Sequence, residues 1–174
     1  MWPEIQRELL PGQTADDRPD LVSRVFKLKY DAFLKDITDN DIFGKVIALI
    51  YVIEFQKRGL PHGHSLTILD PSSNPQTPDD INKLICAELP DPDLDPELFQ
   101  IVIATLLHGP CGSHDRTRSC TKDGKCTCGY PRPFRETTSL VEDGYPAYRR
   151  RDDGRFVEKN GFRFDNRHVI PYPP

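Results

Sequence analysis

The 174-residue sequence predicts an α+β fold: a central antiparallel sheet, flanking helices and a Cys-rich loop segment. Three observations carry this. Lys45–Phe55, "KVIALIYVIEF", is β-branched, aromatic and almost continuously apolar, and a turn and a second strand-like run, "HGHSLTIL", follow it. Helical periodicity appears both before and after this pair. Residues 108–135 are poor in aliphatics and rich in Cys, Gly and basic side chains.

Taken in order, residues 1–18 read as irregular. From Pro19 to Ile37, apolar residues recur at helical spacing; Pro19 suits the first turn and Asp20 the helix dipole. "TDND" (Thr38–Asp41) ends that helix. The run Lys45–Phe55 then reads as a central strand covered on both faces. A turn over Lys57–Leu60 leads into the next strand. "DPSSNPQTP" (Asp70–Pro78) is a loop, and Thr77 offers an N-cap for a helix over 78–88. Cys86 falls on that helix as a core residue. Asp95 and Pro96 start a further helix, stopped by Gly109 and Pro110. Asp153-Gly154 and Asn160-Gly161 are hairpin turn signals. The expected divisions are a core over 1–107, a Cys/His-rich insertion over 108–135 and a basic β-hairpin segment over 136–174.

Composition narrows the function classes. No run of 18 apolar residues exists, so no membrane span is expected. The start "MWPEIQRELLPG" lacks the basic and apolar regions of a signal peptide, so the five cysteines read as thiols or metal ligands. Residues 1–107 carry 10 Lys and Arg against 18 Asp and Glu, a net of −8; residues 108–174 carry 13 against 9, a net of +4. A basic C-terminal part suits an anionic partner such as nucleic acid, and equally an ordinary solvated surface.

Two imidazoles on alternate positions, His62 and His64, share one strand face. A hairpin folded about Lys57–Leu60 sets Gln56 opposite His62 and Glu54 opposite His64. Two imidazoles, a carboxylate and an amide then converge, as a divalent-metal site with open positions requires. The plainer alternative is a pair of hydrogen-bonded strand histidines beside a surface acid.

"IEFQKRGLPHGHSLTIL" resembles the HUH motif of the replication-initiator-like nuclease domain of Helitron transposases. "WPEIQRELLPGQ", "DRPDLVSRVFKLK", "IFGKV", "HGPCG", "KDGKC", "EDGYPAYRRRDDGR", "VEKNG" and "DNRHVIPYPP" resemble the same domain. Gly63 departs from the motif, which expects a bulky apolar residue there, with a loss of packing. The resemblance implies Mg²⁺ or Mn²⁺ held by His62 and His64, with Glu54 as third ligand and Gln56 as the alternative. It implies nicking and joining of single-stranded DNA through a tyrosine, fusion to a C-terminal helicase domain, and the nucleus. The family's paired tyrosines lie on a helix after the HUH strand. Tyr145 and Tyr148 are three apart, but Gly144 and Pro146 oppose a helix there. The expected tyrosine helix therefore lies beyond Pro174, and the domain reads as truncated, inactive alone and forming no covalent DNA adduct.

His108, Cys111, Cys120 and Cys126, spaced H-x2-C-x8-C-x5-C, suit a structural zinc site, with Cys128 or His114 as substitutes. Free thiols in a surface loop are the alternative. "YRRRDDGR" (Tyr148–Arg155) places Arg149 and Arg151 on one face and Arg150 on the other; with Tyr148 these suit phosphates and base stacking. A solvated hairpin is the alternative. Two rival functions remain: a degenerate, non-catalytic DNA-binding remnant, and a cupin-like metal enzyme. A cupin expects a ligand Glu soon after the histidines, where "HSLTILDPSS" supplies only Asp70.

Overall fold

Helix and small antiparallel sheets alternate along the chain, in two compact units, Met1–Asn74 and Pro75–Pro174. The computed structural model describes residues 2–56, 59–140 and 145–174. Lys57 and Arg58 of the expected turn, and Gly144 beside Tyr145, lie outside the described residues. Among the described residues, no helix is long and apolar enough to cross a membrane.

In the N-terminal unit, residues 1–18 are not wholly irregular. Pro3–Glu8 forms α1, with Pro3 in its first turn and buried Ile5 facing inward. Ala15–Asp17 forms a 3-10 turn closed by a Thr14–Asp17 capping box. The expected long helix spans Pro19–Thr38 (α2) and buries Val22, Val25, Tyr30 and Ile37. Ile5, Val22 and Val25 make the local core, with Leu9, Ala15 and Leu21 against it.

Strands β1 (Val46–Phe55) and β2 (Pro61–Leu69) pair antiparallel. Tyr51, Ile53, Gly63 and Ser65 share one face, and α2 lies on it: the Tyr30 hydroxyl is 2.7 Å from Ser65 Oγ. The opposite face holds Ile50, Val52 and Leu66, exposed at 62%, 58% and 61%. The expectation of a central strand covered on both faces is therefore corrected. Among the described residues this sheet has two strands, and the apolar run is covered on one side.

Gly63 does not lose packing, as the motif comparison suggested. A Cβ there would lie 2.6 Å from Tyr30 Cε2 and 2.7 Å from Cζ. The tyrosine ring occupies the volume that a larger residue would fill. Gly63→Val should therefore overpack the unit and cost about 1–3 kcal/mol. The sole tryptophan, Trp2, stacks near Phe26 at 6.5 Å and reports this unit alone. Urea unfolding followed by Trp2 fluorescence should show the loss, and Tyr30→Ala in the same chain should relieve part of it. Strictly additive losses in the double variant would contradict the packing account.

In the C-terminal unit, Thr77 caps α3 (Pro78–Leu84): its hydroxyl accepts from the Asp80 backbone N–H, and the Asp80 carboxylate accepts from Thr77 N–H. The helix is shorter than the predicted 78–88. Cys86 instead exchanges both backbone bonds with Tyr172, at 2.8 and 2.9 Å. Asp95 caps α4 (Pro96–Thr105) by accepting from Leu98 N–H at 2.9 Å. The helix stops before Gly109 because Leu106 and His108 turn to pair with residues 168–170. Leu89, Val102, Val169 and Tyr172 form the core, with Cys86 and Leu107 packed on it. Short two-stranded ladders follow: β3 (Thr121–Lys122) with β4 (Lys125–Cys126), β5 (Ser139–Leu140) with β6 (Pro146–Ala147), and β7 (Val157–Lys159) with β8 (Phe162–Phe164). Asn160 and Gly161, at φ 55° and 72°, make the predicted hairpin turn. Gly154 makes a bend without flanking strands, so no hairpin forms at Asp153-Gly154.

Candidate metal centres

The β1–β2 register sets the first cluster. Glu54 lies opposite His62, and Val52 opposite His64. This corrects the expected pairing by two residues. The cause is Gly59, at φ 75°, whose N–H bonds Gln56 O at 2.8 Å and closes the loop early. Gln56 thus ends the ladder against Leu60 and is not opposite His62. Glu54 still reaches both histidines, one directly and one diagonally. Its Oε1 is 2.8 Å from His64 Nε2, and the His62 and His64 rings are 4.7 Å apart.

One ligand atom from each of Glu54, His62 and His64 lies within 4.8 Å of the others, all on exposed side chains. The bond from His64, together with the field of both imidazoles, holds the Glu54 carboxyl below its usual range. Two nitrogen donors, one anionic oxygen and open solvent suit a divalent cation with free positions. Asp70, the only acid a cupin-like reading offered, instead accepts from Ser72 Oγ and N–H at 2.6 and 3.0 Å.

The second cluster joins His108, Cys111, Cys120 and Cys126, all half-buried, with ligand atoms within 4.8 Å of one another. Its geometry comes from turns. Asp123 and Gly124, at φ 51° and 74°, fold β3 onto β4, so that Cys120 and Cys126 approach. Gly112, at φ 70°, turns the chain after Cys111; a Cβ there would lie 3.1 Å from Gly124 O. His108 Nε2 is 3.2 Å from Cys126 Sγ.

The thiols titrate unevenly. Burial, then the Cys126 and Cys120 thiols, push Cys111 up to about 12. Burial also acts upward on Cys126, but bonds from the Tyr130 backbone, the Cys111 thiol, the Cys128 backbone and His108 outweigh it and bring it down to about 6. A thiolate ringed by proton donors is the arrangement in which a cation can replace those protons. The four residues could hold a metal ion. His114 and Cys128, the proposed substitutes, are not in this cluster. His114 instead meets the edge of Phe162 at 5.1 Å.

Residues 1–67 match the family described as Helitron helicase-like domain at N-terminus. That segment is Helitron-like. The match contains Glu54, His62 and His64 and ends before the Cys/His cluster. No curated protein matches the chain.

Downstream of the Helitron-like segment, the arginine run is committed internally. Arg150 is 5% exposed, and its Nη1 donates to the carbonyls of Ala87, Asn166 and Val169 at 3.2, 2.6 and 2.7 Å. Arg151 binds the buried Glu88 carboxylate through Nε and Nη2 at 3.0 and 2.7 Å, and Arg149 Nη2 lies 3.3 Å from it. The alternation of faces holds, but Arg150 is a structural arginine with no surface to offer a phosphate. Tyr148 is half-buried. Sequence reasoning missed Glu88, a lone acid between Ala87 and Leu89, and Tyr130, whose ring stacks on His108 at 4.3 Å. For Tyr130 a signal existed: it follows the last cysteines directly.

Proposed function

We propose that this chain carries the cation-holding part of a Helitron-type nuclease acting on single-stranded DNA. The observation that carries the reading is the convergence of Glu54, His62 and His64 on the open face of a Helitron-like hairpin. Imidazole donors favour Mn²⁺ over Mg²⁺, which prefers oxygen ligands. When bound, such a cation polarises a phosphoryl oxygen and offsets its developing charge. Glu54 supplies the negative charge of the set, and its 2.8 Å approach to His64 Nε2 already brings the two donor atoms together. His62 and His64 supply the two nitrogen donors. In the C-terminal unit the four-donor Cys/His set suits zinc, with a structural role.

The nucleophile is a separate matter. Tyr30 and Tyr51 of the N-terminal unit lie on the sheet face opposite the histidines. In-line attack depends on placement, and a misplacement of about 1 Å can cost about a hundredfold. That favours, as a second reading, a non-catalytic DNA-binding protein.

The test uses a 5′-labelled single-stranded oligonucleotide with and without Mn²⁺. The full chain should bind more tightly with Mn²⁺, and His62→Ala with His64→Ala should remove that increment. On a denaturing gel, neither Tyr30→Phe nor Tyr51→Phe should change the products. An Mn²⁺-dependent increment that persists in the double histidine variant would overturn the proposal. A covalent adduct lost in Tyr30→Phe or Tyr51→Phe would overturn the placement argument.

A further inference from the structure

The C-terminal unit holds a cleft of about 520 Å³ lined by Tyr130, Arg132, Arg135, Tyr145, Tyr148 and Arg150, with prolines and Ala147 between them. That volume is in the range of small-ligand pockets, about 300–1,000 Å³. Among the described residues no carboxylate lines it. Its charge pattern differs from that of the neighbouring chain. Arg149, Arg151, Arg155 and Arg167 are each matched by an acid. Arg132 and Arg135 are exposed and form no ion pair among the described residues. Among the described residues the cleft therefore keeps two arginines without an acid partner.

Its rings are held as platforms. Tyr130 is stacked on His108, and the guanidinium groups of Arg132 and Arg150 stand 5.2 and 5.9 Å from its centroid. Arg135 and Arg150 exchange backbone bonds at 2.9 Å in both directions, which fixes the wall that carries them. Tyr145, 77% exposed, stands at the rim. Flat rings beside free guanidinium groups match a ligand that is planar at one end and anionic at the other.

We propose that this cleft binds an unpaired nucleotide of a single-stranded nucleic acid, with the base against the tyrosines and the phosphate on Arg132 and Arg135. The site lies wholly in the C-terminal unit and does not depend on the cation at Glu54, His62 and His64. A duplex is a poor ligand, because paired bases cannot turn onto the rings.

The experiment measures fluorescence anisotropy of labelled oligothymidylate and oligouridylate of about 12 nucleotides. The full chain carries His62→Ala and His64→Ala, so that failure of the cation reading leaves this test intact. Tyr145→Ala should weaken binding about tenfold, as loss of one base stack does. Arg132→Ala with Arg135→Ala should make the slope of log K against log salt shallower by about 0.7, the neutralisation of one phosphate on a single strand. Loss of affinity in Tyr145→Ala with either oligonucleotide supports the cleft. Heparin bound as tightly as the oligonucleotides, with no loss in Tyr145→Ala, would overturn the proposal and leave a generic cationic surface. So would unchanged affinity and salt slope in all three substitutions, with thermal unfolding confirming that the variants are folded.

Discussion

Removal by chelation of the zinc proposed for the Cys/His cluster should cost the C-terminal unit several kcal/mol. Structural zinc in small domains is worth about 10–16 kcal/mol of apparent binding energy at neutral pH, and that energy is folding energy where the ligands are brought together by the fold. Here the turns that join the ligands have little apolar support of their own. The β3–β4 ladder is two residue pairs long, and the buried core of the unit lies elsewhere, on Leu89, Val102, Val169 and Tyr172. Local bonds remain, such as Gly112 N–H to Thr121 Oγ1 at 2.8 Å and Thr127 N–H to Cys120 O at 2.7 Å, and each contributes only about 1 kcal/mol. Protein purified without chelators should contain about one zinc per chain. After chelation, or in Cys120→Ser, the amides of Gly112, Thr127 and Gly129 should exchange with solvent much faster. Unchanged protection after chelation would show that the turns hold without metal. His108 donates its backbone N–H to His168 O at 2.8 Å, so part of the loss should reach the core.

Glu88→Ala should be strongly damaging, at about 3 kcal/mol. The Glu88 side chain is 6% exposed and accepts from Arg151 N–H, Nε and Nη2 at 2.8, 3.0 and 2.7 Å. Breaking a buried ion pair costs about 3–5 kcal/mol, because the remaining partner keeps an uncompensated charge. Arg149 and Arg151 are 32% and 44% exposed and can partly re-solvate, which places Glu88→Ala at the low end. Arg151→Ala leaves the buried carboxylate with Arg149 and the backbone N–H of residue 151, and should cost less than Glu88→Ala.

Burial pushes the Glu88 carboxyl up, but the bonds from Arg151 and the field of Arg149 outweigh it and hold it below its ordinary 4.5. A depressed acid stabilises above its unfolded-state value and loses that contribution as pH falls through the folded one. The C-terminal unit should therefore weaken as pH falls below 4.5, and Glu88→Gln should flatten that part of the profile. Urea unfolding at stepped pH, read by tyrosine near-UV circular dichroism, checks both. A parallel pH profile in Glu88→Gln would contradict the assignment.

Much of this was legible because it is local. The spacing of Val22, Val25, Tyr30 and Ile37 marks α2, and Thr77 and Asp95 announce their helices through capping chemistry. The Cys/His cluster was legible from ligand type and spacing. The hairpin was legible, but its register was not, because one glycine in a left-handed conformation decides how many residues the loop consumes. The role of Gly63 was hidden because its partner, Tyr30, lies 33 residues away on another element. The arginine run misled for a similar reason. Three consecutive arginines resemble a cationic surface, and only the fold brings Glu88 and three carbonyls to them. The continuous apolar run of β1 predicted two-sided burial, and one face is open among the described residues.

The central claim is that the Helitron-like hairpin holds one divalent cation on Glu54, His62 and His64. The most direct measurement is an Mn²⁺ titration of the zinc-loaded full chain, with free Mn²⁺ read by electron paramagnetic resonance. The account predicts one site per chain, lost in His62→Ala with His64→Ala and weakened in Glu54→Gln. The same stoichiometry and affinity in the double histidine variant would contradict it.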